Sequence, residues 1–202
     1  DIDFRKIKCN SGVHSMEKWK EFSKAVKNGR LKLTDSELAR ANRADARFKL
    51  AKNFEKITAK NITDRTLNGY SAAFGVFLAY TAAEQVGKLC SKEIVKWGIE
   101  DQVLASNLRP LMNNIFEDME EHLIKKRAQN NFTDFIERKN NNVRIAATAI
   151  RIMVAHGTFS PHGGKALTKK QCAVYDTLKT KILKEADRVF FEWLQNKIEA
   201  SG

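Results

Sequence analysis

The strongest pattern in the chain is a segment over roughly 64–90 that is apolar on almost every side. From Tyr70 to Leu89, large apolar residues are interleaved with alanine and glycine, and Glu84 and Gln85 are the polar exceptions. A helix that is apolar around its whole circumference is buried on most sides. The small residues also let neighbouring helices approach closely, so the pattern predicts a central helix. The preceding Asn61-Ile62-Thr63-Asp64 breaks the earlier pattern and is predicted to cap this helix.

Glu84 is the charged residue in the middle of this apolar segment. Burying a carboxylate costs several kcal/mol unless it is paired with a cation. Glu84 is therefore a candidate supporting polar residue, with Arg151 or Arg144 as its partner. The alternative is that it simply faces solvent.

Two helices are predicted before the central one. Apolar residues at three- and four-residue spacing predict a short helix over 16–28. Thr34 and Glu37 form a capping-box pattern, in which each side chain bonds the other residue's backbone N–H, so a helix over about 35–58 follows. We interpret residues 1–62 as a basic N-terminal helical hairpin or extension on a helical domain at 63–202.

Further helices follow the central one. Pro110 suits the first turn of a helix that runs to about Arg127, and Asn130-Asn131 predicts a break after it. Thr168 then caps a last long helix that reaches about Ala200. The predicted fold class is all-α, a helical bundle with an N-terminal helical extension.

Composition agrees with a compact helical protein, because 202 residues include only two prolines and 10 glycines and 43% are hydrophobic. No run of eighteen apolar residues occurs, so no membrane span is expected. The odd number of well-separated cysteines, Cys9, Cys90 and Cys172, predicts reduced thiols in the cytoplasm. His156, His162 and Cys172 match no compact zinc pattern, so neither a metal nor another cofactor is predicted.

The charge balance favours a polyanionic partner. Lys and Arg number 36 against 24 Asp and Glu, a net charge of +12, and such a surface attracts nucleic acid. Arg40, Arg43 and Arg47 recur at helical spacing on one face of the predicted helix at 35–58. This face is either a solvated surface or one that tracks a phosphate backbone.

The candidate chemistry lies in the helix predicted over 143–157. Arg151 and His156 occupy its polar end with four residues between them. Arginine is permanently charged and donates in a planar fork that suits phosphate, and histidine exchanges protons near neutral pH. Together they suit phosphodiester chemistry without a metal. As residues alone they could equally cap the helix, since cations at a C-terminus stabilise it by about 0.3–1 kcal/mol.

This R-x4-H arrangement, late in an all-helical chain, resembles the HEPN family, whose members carry an R-x4-6-H motif and are often metal-independent endoribonucleases. The segment from Tyr70 to Leu89 is similar to the aromatic, small-residue core helix of such domains. The resemblance covers residues 63–199. It implies a toxin or defence effector that works as a homodimer and cleaves RNA by attack of the 2′-hydroxyl. An antitoxin or regulatory protein is a further expected partner.

In that interpretation Arg151 and His156 are the catalytic residues. The residues expected to contact RNA are the basic face and the residues around the motif: Arg40, Arg43, Arg47, Arg144, His162 and Lys165. Many active family members have a polar residue, often Asn, directly after the arginine, and here that position is Ile152. The departure favours the alternative, a catalytically silent HEPN-like module that binds RNA or a protein partner.

The spacing of the motif raises a geometric question. Five residues along a regular helix turn a side chain by about 140° and advance it by about 7.5 Å, so Arg151 and His156 do not share a face. Either the helix unwinds at 155–157 and the imidazole swings back, or two chains pair about a two-fold axis and both motifs line one cleft.

Overall fold

The computed structural model describes residue 16 and residues 18–120, 126–156 and 167–200, and within them the protein is all-α, as predicted, with no strand. The described part of the chain contains seven α-helices and one short 3-10 helix, Ile94–Lys96. The α-helices are α1 (Trp19–Lys27), α2 (Asp35–Asn53), α3 (Asp64–Leu89), α4 (Gln102–Glu120), α5 (Lys126–Ile136), α6 (Arg144–Ala155) and α7 (Lys169–Glu199).

The centre of the fold is α3, as the apolar segment predicts. Fourteen of its 26 residues are buried, and α2, α6 and α7 all pack against it. Ala79, Ala82 and Ala83 are completely inaccessible, which allows the backbones around them to come close. The N-terminal helices join the same hydrophobic core, since Phe22 of α1 lies against the ring of Phe190 of α7 at 5.8 Å.

The predicted caps of three helices are confirmed. Thr34 and Glu37 form the reciprocal capping box of α2. Thr63 accepts a hydrogen bond from the backbone of Thr66 at the start of α3. Thr168 caps α7 in a second reciprocal box, with Gln171. These pairs are only three residues apart, so the local sequence was sufficient to predict them.

The end of α3 depends on a glycine. Ser91 adopts a left-handed backbone conformation (φ 53°), and the Lys92 N–H turns back to donate to the Gly87 carbonyl at 2.9 Å. A Cβ at Gly87 would stand 2.8 Å from the Lys92 carbonyl oxygen, which is too close for any other residue. The turn directs the chain into the 3-10 helix and from there towards α4.

The predicted start of α4 at Pro110 is wrong. The helix begins at Gln102 and carries Pro110 in its interior, because Asp101 accepts a hydrogen bond from the Leu104 N–H at 2.9 Å and caps the new first turn. Proline has no N–H, so it leaves the Ser106 carbonyl without its usual helical donor. Lys181 of α7 binds the Asp101 carboxylate at 2.8 Å and holds this cap in place.

Two other predicted boundaries are also wrong. The helix expected to reach residue 58 ends at Asn53. The break predicted at Asn130-Asn131 does not occur, since α5 runs through both residues. Phe132 and Phe135 are 1% and 0% exposed, and their packing overrides the weak helical preference of asparagine.

No helix in the described ranges is long and apolar enough to cross a membrane. Cys90 and Cys172 are free and half-buried, and burial raises the pKa of Cys90 to about 12. Cys9 lies outside the described residues.

The Glu37 capping box predicts a pH-dependent contribution to stability. The Thr34 backbone N–H and then the Lys197 ammonium lower the pKa of Glu37 from 4.5 to about 2. Because the folded pKa lies below the unfolded one, the carboxylate stabilises the fold above pH 4.5, and this contribution disappears as the pH falls towards 2. We expect Glu37→Gln to lower the urea midpoint at neutral pH and to match the wild type in strong acid.

The matched control is Glu55→Gln, which changes an exposed carboxylate outside the helices. It should leave the urea midpoint close to that of the wild type throughout the titration. A Glu37→Gln deficit that stays constant down to pH 2 would contradict the assignment.

Candidate functional site at the end of α6

The start of α6 is fixed by a buried asparagine. The side-chain oxygen of Asn142 accepts hydrogen bonds from the N–H groups of Ile99 (3.2 Å) and Arg144 (3.1 Å). Its amide nitrogen donates to the Trp97 carbonyl at 2.9 Å. The motif helix is thereby tied to the segment that precedes α4, and this fixes the direction in which its other end points.

A buried arginine fixes the loop that leads into α6. Arg109 of α4 donates to the carbonyls of Phe135 (2.6 Å) and Asn140 (2.9 Å) and to the side-chain oxygen of Asn141 (2.7 Å). Its guanidinium also lies over the Phe135 ring, 5.1 Å from the centroid. α4 and α5 therefore hold the asparagine-rich loop in one conformation.

Arg144 was expected from the sequence to contact RNA, but it belongs to the buried core. It is only 7% exposed. Its Nε donates to the Trp97 carbonyl at 3.2 Å, and a terminal nitrogen donates to the Thr148 hydroxyl at 3.3 Å. Burial lowers the pKa of Arg144. A phosphate could reach this guanidinium only by displacing its internal partners.

A row of polar side chains runs from Arg144 towards the C-terminal end of α6. We call it the polar seam, and it consists of Tyr80 and Glu84 of α3 with Arg144, Thr148 and Arg151 of α6. The Thr148 hydroxyl donates to the Arg144 carbonyl at 2.9 Å and lies 3.3 Å from the Tyr80 hydroxyl. Burial raises the pKa of Tyr80, so its hydroxyl stays protonated at neutral pH.

The seam ends in an ion pair between Glu84 and Arg151. Glu84 Oε1 lies 3.6 Å from a terminal nitrogen of Arg151, and the two side chains are 25% and 38% exposed. The prediction that Glu84 is paired with one of the two arginines is confirmed. A partly exposed pair contributes at most about 1 kcal/mol, so its main effect is to orient the guanidinium while part of it remains open to solvent.

His156 lies at the C-terminal cap of the same helix. It is exposed, and its backbone remains helical (φ −85°, ψ −2°), with its N–H donating to the Ile152 carbonyl at 3.0 Å. α6 therefore does not unwind at His156. The geometry in which the helix unwinds and the imidazole swings back towards Arg151 is not found at this residue.

Regular geometry separates the two motif side chains within one chain. Because they are five positions apart on a regular helix, Arg151 and His156 leave it about 140° apart and about 7.5 Å apart along its axis. Arg151 faces α3 through Glu84. One chain consequently presents the two groups on different sides of the end of α6.

Ile152, the residue after the motif arginine, is half-buried and packs against the hydrophobic core. An apolar side chain suits this position because it helps to hold α6 on the bundle. A polar side chain here would need a hydrogen-bond partner on the same surface. The departure from the HEPN pattern is thus part of the packing of the core.

The remaining predicted RNA contacts fall into two groups. Arg40, Arg43 and Arg47 are all exposed on α2. His162 and Lys165 lie outside the described residues. Within the described ranges, no group of three or more His, Cys, Asp or Glu side chains is arranged to hold a metal ion.

The sequence analysis missed the residues that position the motif. Tyr80 precedes Glu84 by four residues and Thr148 follows Arg144 by four, so this spacing was a usable signal for two neighbouring polar rows. Asn142 carried no such signal, because its partners Trp97 and Ile99 are more than forty residues away.

No family model matches the chain, and neither a curated protein nor a solved structure matches it. The resemblance to HEPN proteins therefore rests on the motif and the core helix themselves.

Replacing each arginine of the polar seam should show that the buried Arg144 contributes more to stability than the partly exposed Arg151. Arg144→Ala removes hydrogen bonds to buried partners, and we expect a loss of about 1–3 kcal/mol in the free energy of unfolding. Arg151→Ala breaks a partly exposed ion pair, and we expect a loss of about 1 kcal/mol or less. Urea denaturation of both variants measures the difference, and equal losses would contradict these assignments.

Proposed function

We propose that this protein is a metal-independent endoribonuclease of the HEPN type that acts on RNA as a homodimer. The observation that carries the proposal is the end of α6. There Arg151, oriented by Glu84, and the exposed His156 lie on different sides of the same helix end. The net charge of +12 supports a polyanionic substrate.

The proposed reaction is transesterification within the RNA strand. The 2′-hydroxyl loses its proton and attacks the adjacent phosphorus, the P–O2′ bond forms, and the P–O5′ bond breaks as the 5′ oxygen takes up a proton. His156 acts as the general base or acid, and Arg151 stabilises the extra negative charge on the pentacoordinate phosphate. The products are a 2′,3′-cyclic phosphate and a 5′-hydroxyl, and DNA, which lacks the 2′-hydroxyl, is not cleaved.

The dimer in this proposal follows from the direction of the side chains. Because Arg151 and His156 leave α6 about 140° apart, one chain does not direct both groups at the same phosphate. A two-fold axis beside the end of α6 brings the arginine of one chain towards the histidine of the other. In the cell such an enzyme would serve as a cytoplasmic toxin or defence effector, controlled by an antitoxin or another regulatory protein.

The second candidate function is a catalytically silent HEPN-like module that binds RNA or a protein partner. The observation that favours it is Ile152, which packs into the core beside Arg151 where active family members often carry a polar residue. Charge and helical architecture serve binding as well as catalysis, so only cleavage distinguishes the two candidates.

The catalytic proposal predicts that either motif residue is indispensable for cleavage. We expect His156→Ala to lower the rate by about 10²–10⁴-fold through loss of proton transfer, and Arg151→Ala by about 10²–10³-fold through loss of charge stabilisation. The assay follows cleavage of single-stranded RNA in a metal chelator and identifies the cyclic phosphate at the new 3′ ends.

The matched controls are His14→Ala and Arg30→Ala, which remove the same side-chain types outside the motif. They should retain wild-type cleavage, and all four variants should keep the helical content and urea midpoint expected of a folded chain. Full activity in His156→Ala would remove this site from consideration. Absence of cleavage by the wild type on varied RNAs would favour the binding module.

A mixing experiment tests the composite dimer site. Inactive Arg151→Ala and His156→Ala chains should regain activity when they are mixed and allowed to exchange, because one site of each heterodimer then has both residues intact. Random exchange should restore about a quarter of wild-type activity. If both residues of one chain act together, no activity returns, and mixing His156→Ala with wild-type chains provides the reference for exchange.

A further inference from the structure

Three clefts follow one another along α7. The first, of about 530 Å³, lies between α7, α3 and the segment after α2. The second, of about 320 Å³, lies between α7 and α2, and the third, of about 380 Å³, lies beside Lys18. The first two share Asp176 and Lys179, and the second and third share Lys184 and Asp187. The three clefts therefore adjoin one another in a row, which we call the α7 groove.

The α7 groove is more basic than the chain as a whole. Eight Lys and Arg residues line it against three carboxylates, Glu55, Asp176 and Asp187, whereas the whole chain has 36 against 24. The end beside Lys18 contributes least, because Lys18 pairs with Glu21 and Arg188 pairs with Glu185 and Glu192. The positive charge is concentrated in the first two clefts.

Two phenylalanine rings in the groove lie beneath lysine side chains, Phe54 beneath Lys179 at 6.0 Å and Phe191 beneath Lys18 at 5.3 Å. Phe54 lines the first cleft and Phe191 the third, and Phe191 is 38% exposed. Lys179 crosses the first cleft, donating to the Phe54 carbonyl at 3.0 Å. From Lys169 to Phe191 the helix runs for about 33 Å, which is far longer than a single small ligand needs.

From this combination we infer that the α7 groove binds single-stranded nucleic acid, with lysines along the phosphate backbone and bases against the phenylalanine rings. A positive channel interleaved with aromatic side chains is the usual arrangement for sequence-tolerant binding of single strands. A small-molecule ligand occupies a single cleft or cavity, whereas these clefts extend along about 33 Å of α7. A duplex would also offer no free base faces to the phenylalanine rings, because its bases are already stacked and paired.

The groove is separate from both surfaces considered above. Gly75 faces it, since a Cβ there would meet Lys179 at 3.4 Å. Glu84 lies nine residues later on α3, about 180° around the helix and about 13.5 Å along it. On α2, Lys52 of the groove lies about 140° around the helix from Arg47. Binding in the groove can therefore be tested independently of Arg151 and of the arginine face.

The test is the binding of fluorescent oligonucleotides of about ten nucleotides, as single-stranded DNA and as 2′-O-methyl RNA, which cannot be cleaved through a 2′-hydroxyl. Two groove variants each reverse two charges, Lys56→Glu with Lys169→Glu and Lys52→Glu with Lys184→Glu. We expect each to weaken binding of both oligonucleotides by about tenfold or more and to reduce the salt slope by about 1–1.5.

Lys88→Glu with Lys96→Glu is the control with the same change in net charge, because it alters exposed lysines outside the groove, and it should retain wild-type binding. Arg43→Glu with Arg47→Glu, also of the same net charge, tests the rival surface, the arginine face on the other flank of α2. The corresponding Lys→Gln groove variants should give intermediate affinities, and circular dichroism confirms that each variant is folded.

Four outcomes would overturn the inference: equal binding by groove and control variants, loss only in the arginine-face variant, preference for a duplex, or equally tight binding of a polyglutamate peptide of matched charge. Preference between DNA and RNA leaves the groove assignment intact and reports on contacts to the 2′ position. The ribonuclease proposal is judged separately, because wild-type protein that binds through the groove and cleaves no RNA refutes only the enzyme.

Discussion

The fold depends on burying α3 between three other helices. Alanine and glycine along α3 let the neighbouring backbones approach. The Lys179 side chain lies directly over Gly75, since a Cβ added at Gly75 would stand only 3.4 Å from it. α6 and α7 lie against different sides of the same helix. Because packed interiors tolerate little change in volume, the positions of the motif and of the α7 groove are both set by this one helix.

Burial of α3 also explains why its polar residues form a seam. Tyr80 and Glu84 lie on the side that α6 covers, where an unpaired polar group would cost several kcal/mol. α6 supplies Thr148 and Arg151 at matching positions. The same pairing that lowers this cost also fixes the guanidinium of Arg151, so packing and the proposed chemistry have a common origin.

Sequence patterns predicted the features that depend on neighbours a few residues away. The caps at Thr34, Thr63 and Thr168 and the burial of α3 belong to this class. The patterns failed at Pro110 and at Asn130-Asn131, where Asp101 and the packing of two phenylalanines decide the structure. The burial of Arg144 was equally out of reach, because the Trp97 carbonyl that it binds is 47 residues away.

The placement of the two proposed surfaces imposes one further requirement. A strand lying in the α7 groove follows the side of α3 that carries Gly75, while Arg151 is held on the Glu84 side, about 180° away around the helix. The chain's own Arg151 is therefore turned away from a strand bound in its groove. The divergence of Arg151 and His156 on α6 is the other geometric problem that the proposed homodimer addresses. The two arguments start from different residues, and in the proposed dimer a second chain would supply the group that one chain directs elsewhere.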